Sequence, residues 1–129
     1  MTGAREPIGW WAQVRWYLRH YRRARRQRRY RVYLAREGST PVGYGALRSQ
    51  GGELLVTECV ATEHRGRGVG EAILGQLITI ARREGRDLVA EIWASNRASI
   101  GLHEKAGFQL ENTPDHPDGR LNVYRLKAS

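Results

Sequence analysis

A glycine-rich hexapeptide, Arg65-Gly66-Arg67-Gly68-Val69-Gly70, is the feature that most constrains the fold of this chain. It follows an apolar segment, 54–61, and precedes a segment with helical periodicity, 71–84. A glycine-rich turn between a strand and a helix exposes backbone N–H groups at the positive end of the helix dipole, where phosphate oxygens bind. Because glycine has no side chain, the phosphate can approach closely. The sequence therefore predicts a strand–turn–helix unit with a phosphate site in the turn.

Two common phosphate loops do not fit this hexapeptide. A P-loop has Lys-Ser or Lys-Thr after its last glycine, whereas Glu71 and Ala72 follow Gly70. The dinucleotide-binding fingerprint Gly-x-Gly-x-x-Gly could start at Gly66, but its sixth position is Glu71. Asp87 lies where that fingerprint expects an acid, but one acid in a charged chain is weak support.

The Arg-x-x-Gly-x-Gly pattern resembles the pyrophosphate loop of the GNAT superfamily of acyl-CoA N-acyltransferases. A second segment, 96–108, resembles another block of the same superfamily, through Asn96, Ser99, His103, Gly107 and Phe108. Its Leu-His-Glu-x-x-Gly-Phe form is most similar to the phosphinothricin-type N-acetyltransferases. The resemblance covers residues 53–110. It implies an α/β (α+β) fold, in which a mixed, mostly antiparallel sheet with a central parallel strand pair is flanked by helices.

The resemblance also implies the chemistry: an acetyl group moves from acetyl-CoA, the co-substrate, to a primary amine. Pantetheine would lie between two diverging strands, and a backbone N–H near Val60 would polarise the thioester carbonyl. The positions expected to contact the coenzyme are Val60, Thr62, Arg65, Gly66, Arg67, Gly68, Val69, Gly70, Asn96 and Ser99. Two simpler roles stay open, because loop arginines are often only solvated and an asparagine at a helix start is often only a cap.

Two residues are candidates for proton transfer. His103 occupies the position where the family most often carries a tyrosine that protonates the departing thiolate; a histidine can donate a proton or act as a base. Glu58 is our candidate for the general base that deprotonates the amine, with Glu53 as second choice. The simpler alternatives are a packed imidazole and a surface acid with a salt-bridge partner. Cys59 lacks a suitably spaced histidine base, which disfavours a role as nucleophile.

Length and composition restrict the setting. The 129 residues suit a single domain, 1–129, with one core. With one cysteine, the chain cannot form an intrachain disulfide, which favours a reducing cytoplasm. We expect no secretory signal and no membrane contact, because no apolar segment is long enough to span a bilayer. No Cys/His set has the spacing of a metal site, so no metal is expected.

The net charge of +9 lies in one segment. Residues 15–31 hold nine arginines and no acid, and the other 13 basic residues balance the 13 acidic ones. Residues 8–29 are predicted to form a basic amphipathic helix, with a stripe of Trp10, Val14, Tyr17, Tyr21 and Ala24. Only seven residues precede this helix, so the first strand of the family is expected to be absent.

Three roles for the arginine-rich segment stay open. It could bind nucleic acid or another polyanion, it could be a solvated face, or its tryptophans could form a homodimer contact. Bordering the acceptor entrance, it would favour an amine carried on an acidic or nucleic-acid-associated molecule. The sequence thus predicts an N-acetyltransferase. A nucleic-acid-binding module on the same scaffold, with little or no catalysis, is the alternative.

Overall fold

The structure is a computed structural model that describes residues 14–19 and 30–128. Within these residues an eight-stranded mixed sheet is flanked by two helices of more than two turns. The strands are β1 (Val14–Arg19), β2 (Tyr30–Glu37), β3 (Thr40–Gln50), β4 (Glu53–Val60), β5 (Leu88–Trp93), β6 (Gln109–Asn112), β7 (Asp115–His116) and β8 (Gly119–Leu126). The helices are α1 (Val69–Glu84) and α2 (Arg97–Lys105), and a 3-10 turn spans Thr62–His64.

The strand order is β1-β2-β3-β4-β5-β8-β6, with β7 paired to β8. All pairs are antiparallel except β4 and β5, which are parallel and joined by α1. A parallel neighbour needs such a crossover, because a short turn can only reverse the chain. The predicted fold, a mostly antiparallel sheet with a central parallel pair, is therefore confirmed.

The sequence predicted a helix over 8–29, and this prediction is wrong for residues 14–19, which form β1. This strand pairs antiparallel with β2, from Val14 opposite Glu37 to Arg19 opposite Val32. The remaining residues of that range, 8–13 and 20–29, lie outside the described residues. The expectation that the first strand of the family is absent rested on that helix starting at residue 8; the described residues have a strand, β1, within the arginine-rich segment. Pairing with β2 satisfies the backbone polar groups on the β2 side of 14–19, and this tertiary context overrides a helical pattern.

Both helices lie on one face of the sheet. A Cβ placed on Gly45 of β3 would lie 2.9 Å from side-chain atoms of Ile73 and Leu77 in α1. A Cβ on Gly70 would lie 3.5 Å from Leu102 of α2 and from Val60 of β4. The buried residues of α1 form the centre of the core: Val69, Ile73, Leu74, Leu77, Ile78 and Ala81. The missing side chain at Gly45 lets α1 approach β3 closely.

Candidate active site

The turn between β4 and α1 presents backbone N–H groups without caps. Gly66 and Gly68 have positive φ angles of 78° and 82°, a conformation that glycine adopts without strain. Among residues 14–19 and 30–128, no side chain caps the start of α1. The backbone hydrogen bonds of the helix begin with the N–H of Ala72, which donates to the carbonyl of Gly68 at 3.2 Å. A Cβ on Gly66 would meet nothing within 4 Å. A helix start of this kind has free backbone N–H groups that can bind an anion, so the predicted diphosphate contact stays a prediction of this turn.

The two arginines of the turn are held by neighbours. Arg65 donates from Nε to the carbonyl of Val60 at 3.3 Å. Arg67 contacts His64 Nδ1 at 2.9 Å and forms an ion pair with Glu37 of β2 at 3.4 Å. The sequence did not suggest Glu37, because its strand is distant in the chain. Both arginines are exposed, and their contact with a ligand stays a prediction.

The sheet is split beside this turn. The parallel strands β4 and β5 pair only at Leu54 with Leu88 and at Leu55 with Val89, although β4 continues to Val60. By contrast, β4 pairs with β3 along its whole length. The last five residues of β4 therefore border a gap on the β5 side. This is the divergence that the resemblance implied for pantetheine.

Backbone groups of two predicted residues point into that gap. The N–H of Leu54 donates to Asp87 on the β5 side at 2.9 Å, and the N–H of Ala61 donates to Val42 on the β3 side at 2.9 Å. Since backbone groups alternate in direction along a strand, even-numbered residues of β4 present theirs to the gap. The N–H groups of Glu58 and Val60 are therefore available there. Thr62 lies just beyond, in the exposed 3-10 turn.

Glu58 and His103 contact each other directly. His103 Nε2 lies 3.0 Å from Glu58 Oε1, and the side chains are 3% and 10% exposed. His103 Nδ1 donates to the backbone carbonyl of Ser99 at 2.7 Å, and Ser99 Oγ lies 3.4 Å from the same nitrogen. Because a carbonyl can only accept, Nδ1 carries a hydrogen, and one further proton must lie between Nε2 and the carboxyl group. The ring also packs edge-on against Phe108, with centroids 5.0 Å apart.

The pair changes how His103 binds protons. Burial by itself would lower the pKa of His103, but the hydrogen bond and negative charge of Glu58, together with the Ser99 carbonyl, raise it overall. The other oxygen, Glu58 Oε2, is buried and has no hydrogen-bond partner in the described part of the chain. A buried carboxylate oxygen without a partner is costly for folding and is expected mainly where a ligand or proton transfer uses it.

The other sequence candidates have structural partners. Asn96 caps α2, because its side-chain oxygen accepts from the Ser99 N–H at 3.2 Å. Glu53, the second choice for a base, lies at the opposite end of β4 and binds Arg125 at 2.6 Å. Cys59 is an exposed thiol. The coenzyme contact predicted for Asn96 and Ser99 stays a prediction beside these roles.

Most of the arginine-rich segment lies outside the described residues. Of its nine arginines, Arg15 and Arg19 belong to β1, and Arg31 belongs to β2. Arg31 binds Glu84 of α1 through both of its terminal nitrogens. Nucleic-acid binding and a homodimer contact stay predictions. Among the described residues, no helix has the length and apolarity to cross a membrane, and no group of His, Cys, Asp and Glu could hold a metal ion.

Comparison with known proteins gives matches of three kinds. Residues 4–108 match the model of the acetyltransferase (GNAT) family. An L-methionine sulfoximine/L-methionine sulfone acetyltransferase from Pseudomonas paraeruginosa is 44% identical over 52 residues, which cover 40% of this chain and 30% of the relative. A protein with the same activity from Salmonella typhimurium is 38% identical over 88 residues, 63% of this chain and 52% of the relative.

A solved structure is similar as well. It is an acetyltransferase from Salmonella typhimurium with its cofactor acetyl-CoA, superposing with a TM-score of 0.71 at 29% identity, over 83% of this chain and 69% of that one. The chain thus spans about half or less of the two curated relatives, whereas the structural likeness extends over most of its length.

Proposed function

Because the chain belongs to the acetyltransferase (GNAT) family, we propose that it transfers an acetyl group from acetyl-CoA to a primary amine. One observation carries the proposal: an uncapped helix start lies at the end of the strand that splits from its parallel neighbour. The first feature suits a diphosphate and the second a pantetheine arm that ends in a thioester. The amides of residues 65–70 would hold the diphosphate, and the Glu58 and Val60 amides would contact the arm.

The Val60 amide is our candidate for the group that stabilises the tetrahedral intermediate. Amine attack on the thioester carbonyl places a negative charge on its oxygen, which a fixed backbone donor stabilises. The N–H of Val60 points into the gap, and its strand is fixed by continuous pairing with β3. Since this donor is part of a rigid sheet, it needs no reorganisation during the reaction.

Glu58 and His103 are our candidates for the proton transfers. The attacking nitrogen loses a proton, and the coenzyme sulfur gains one when the carbon–sulfur bond breaks. In the proposed cycle Glu58 accepts the first proton and His103 supplies the second. Their 3.0 Å contact allows one proton to pass between them, so the pair returns to its starting state. The buried Glu58 Oε2 is the pair's remaining acceptor.

The relatives named above act on methionine sulfoximine and methionine sulfone. Amino acids of this kind are therefore the first acceptors to try. An acceptor that is acidic or bound to nucleic acid, as the arginine-rich segment suggested, remains a second option. A salt titration of binding to a duplex and to a single strand would test it, since phosphate contacts weaken steeply with salt.

Calorimetry with acetyl-CoA and a thiol-release assay with amines test the proposal. Gly68→Glu should abolish acetyl-CoA binding, because it places a carboxylate at the helix start. Gly75→Glu is the matched control: Gly75 lies on the same helix, is exposed, and has no atom within 4 Å of its added Cβ. Circular dichroism monitors folding. Equal affinity in wild type and Gly68→Glu would refute the placement of the diphosphate.

His103→Phe separates catalysis from binding. If His103 supplies a proton, this variant should lower kcat by about two to four powers of ten, the usual contribution of general acid–base catalysis. Its KM for acetyl-CoA should change little, since the ring contacts Glu58, Ser99 and Phe108, none of which belongs to the turn at 65–70. Wild-type turnover in His103→Phe would exclude the proton-donor role.

A further inference from the structure

Gly43 of β3 lies closer to β4 than a residue with a side chain could. It is opposite Val60 in the antiparallel register. A Cβ on Gly43 would lie 2.4 Å from the carbonyl oxygen of Cys59 and 3.2 Å from Val60 Cα. Because Cβ atoms essentially never approach other atoms within 3.0 Å, any side chain here would displace its neighbours by about 0.6 Å or more. The nearest neighbour is backbone, which cannot move aside by changing a rotamer.

A bulge in β3 accompanies this close approach. The pairing of β2 with β3 shifts by one residue between Gly43 and Pro41, so Val42 is an extra residue on β3. A bulge bends its strand and increases the local twist. Val42 is fully buried, and its carbonyl accepts a hydrogen bond from the N–H of Ala61 at 2.9 Å. The bend in β3 therefore lies where this strand holds the end of β4.

The carbonyl that Gly43 approaches belongs to the same peptide group as the Val60 N–H. A trans peptide group is planar, so its C=O and N–H point in opposite directions and tilt together. The Cys59 carbonyl faces β3, because Cys59 is two residues from Ala61, whose N–H donates to β3. The Val60 N–H then faces the gap. A displacement of the Cys59 carbonyl would therefore change the direction of the N–H that the proposed acetyl transfer uses.

Contact with β3 fixes the direction of this peptide group. Within the described residues, β4 pairs with β3 alone beyond Leu55, where its pairing with β5 ends. We propose that Gly43 is a positioning residue: its missing side chain lets β3 hold the Cys59–Val60 peptide group so that the Val60 N–H points at the thioester oxygen. This inference rests on the proposed function, and it adds a residue that acts through the backbone of β4.

Gly43→Ala tests this role. The added methyl group should push the peptide group toward the gap, where no strand of the described chain holds β4, so we expect the variant to fold. A displaced oxyanion donor should lower kcat by about 10- to 100-fold. The rate is measured by thiol release, with L-methionine sulfone as the acceptor. Calorimetric affinity for CoA, which lacks the acetyl carbonyl, should stay within about threefold of wild type, because the turn at 65–70 holds the diphosphate.

Infrared spectroscopy observes the donor directly and needs no acceptor. Acetyl-CoA with an isotopic label in its acetyl carbonyl is bound to each protein, and the carbonyl stretch is isolated as an isotope difference. A hydrogen bond from the Val60 N–H polarises the carbonyl and lowers its stretching frequency. Wild type should therefore absorb below the same thioester in an aprotic solvent, and Gly43→Ala should lose most of that shift.

Two variants control for packing against α1. The three atoms nearest to a Cβ on Gly45 belong to side chains of Ile73 and Leu77, at 2.9 to 3.2 Å, so Gly45→Ala crowds α1 rather than the β4 backbone. Its kcat and carbonyl frequency should match wild type. Ile73 Cδ1 also lies 3.0 Å from a Cβ on Gly43. Since Ile73→Val removes that atom, the defects of Gly43→Ala should persist in Gly43→Ala/Ile73→Val, with Ile73→Val alone as the background.

Three results would overturn the inference. Gly43→Ala could keep the wild-type kcat and carbonyl frequency. The double variant could recover both, which would make packing against α1 the cause. Gly43→Ala could fail to fold even with CoA present, which would make Gly43 a requirement of the fold itself. By contrast, an unshifted carbonyl frequency in wild type would reject the Val60 donor, and a failure of acetyl-CoA to bind would reject the proposed function.

Discussion

Replacing Glu58 with glutamine tests whether Glu58 and His103 share a proton in the folded protein. The side chains meet at 3.0 Å and are 10% and 3% exposed. Glutamine keeps the shape and can donate a hydrogen bond to Nε2 of a neutral imidazole, but it removes the charge. Breaking a buried ion pair completely costs about 3 to 5 kcal/mol. Because one hydrogen bond is retained, we expect Glu58→Gln to lose about 2 kcal/mol near pH 6.

The pH dependence has a definite sign. Burial opposes protonation of His103, but Glu58 and the Ser99 carbonyl raise its pKa in the folded state. The folded chain thus keeps a proton that the unfolded chain releases above about pH 6.5. Stability from this proton is fully present below the unfolded pKa and is lost as pH rises through the folded pKa. The free-energy difference between wild type and Glu58→Gln should therefore shrink as pH rises above about 6.5.

Urea unfolding at about pH 5.5, 7 and 8.5 measures this difference. A cycle with His103→Phe and the double variant isolates the pair, since His103→Phe alone leaves Glu58 buried without its partner. We expect a coupling of at least about 1 kcal/mol, whereas distant sites add within about 0.5 kcal/mol. Glu104→Gln serves as the exposed control. Additive losses, or a difference that grows with pH, would refute a shared proton.

Three further changes test the packing around α1 and the ion pairs of Arg125. Gly75→Ala should stabilise α1 by about 0.5 to 1 kcal/mol in urea unfolding, because its added methyl meets nothing and alanine favours a helix. Gly45→Ala should destabilise by about 1 to 3 kcal/mol in the same assay, because its methyl would lie 2.9 Å from side chains of α1. In Arg125→Met the pKa of Glu111, now lowered mainly by its hydrogen bond from Arg125, should rise toward its ordinary value in an NMR titration. The pKa of Asp87 should rise less, because the Ala128 N–H contributes most to its lowering.

The features predicted correctly from the sequence depend on local chemistry. The apolar segment 54–61 marks β4, the glycine-rich hexapeptide marks the turn in which Gly66 and Gly68 adopt positive φ angles, and the helical periodicity of 71–84 marks α1. Each of these signals acts over a few neighbouring residues, so a single sequence contains them. The same holds for the order of strand, turn and helix, whereas the parallel pairing of β4 and β5 was expected from the family resemblance.

The errors arose where pairing is non-local. Residues 14–19 read Val-Arg-Trp-Tyr-Leu-Arg, which alternates apolar and polar residues nearly as well as it fits a helical stripe. Which period wins depends on β2, whose six partner residues complete the ladder. The contact between Glu58 and His103 was not predicted either, because it depends on where α2 crosses β4. The spacing of Ser99 and His103 on one helix face was the only local signal for it.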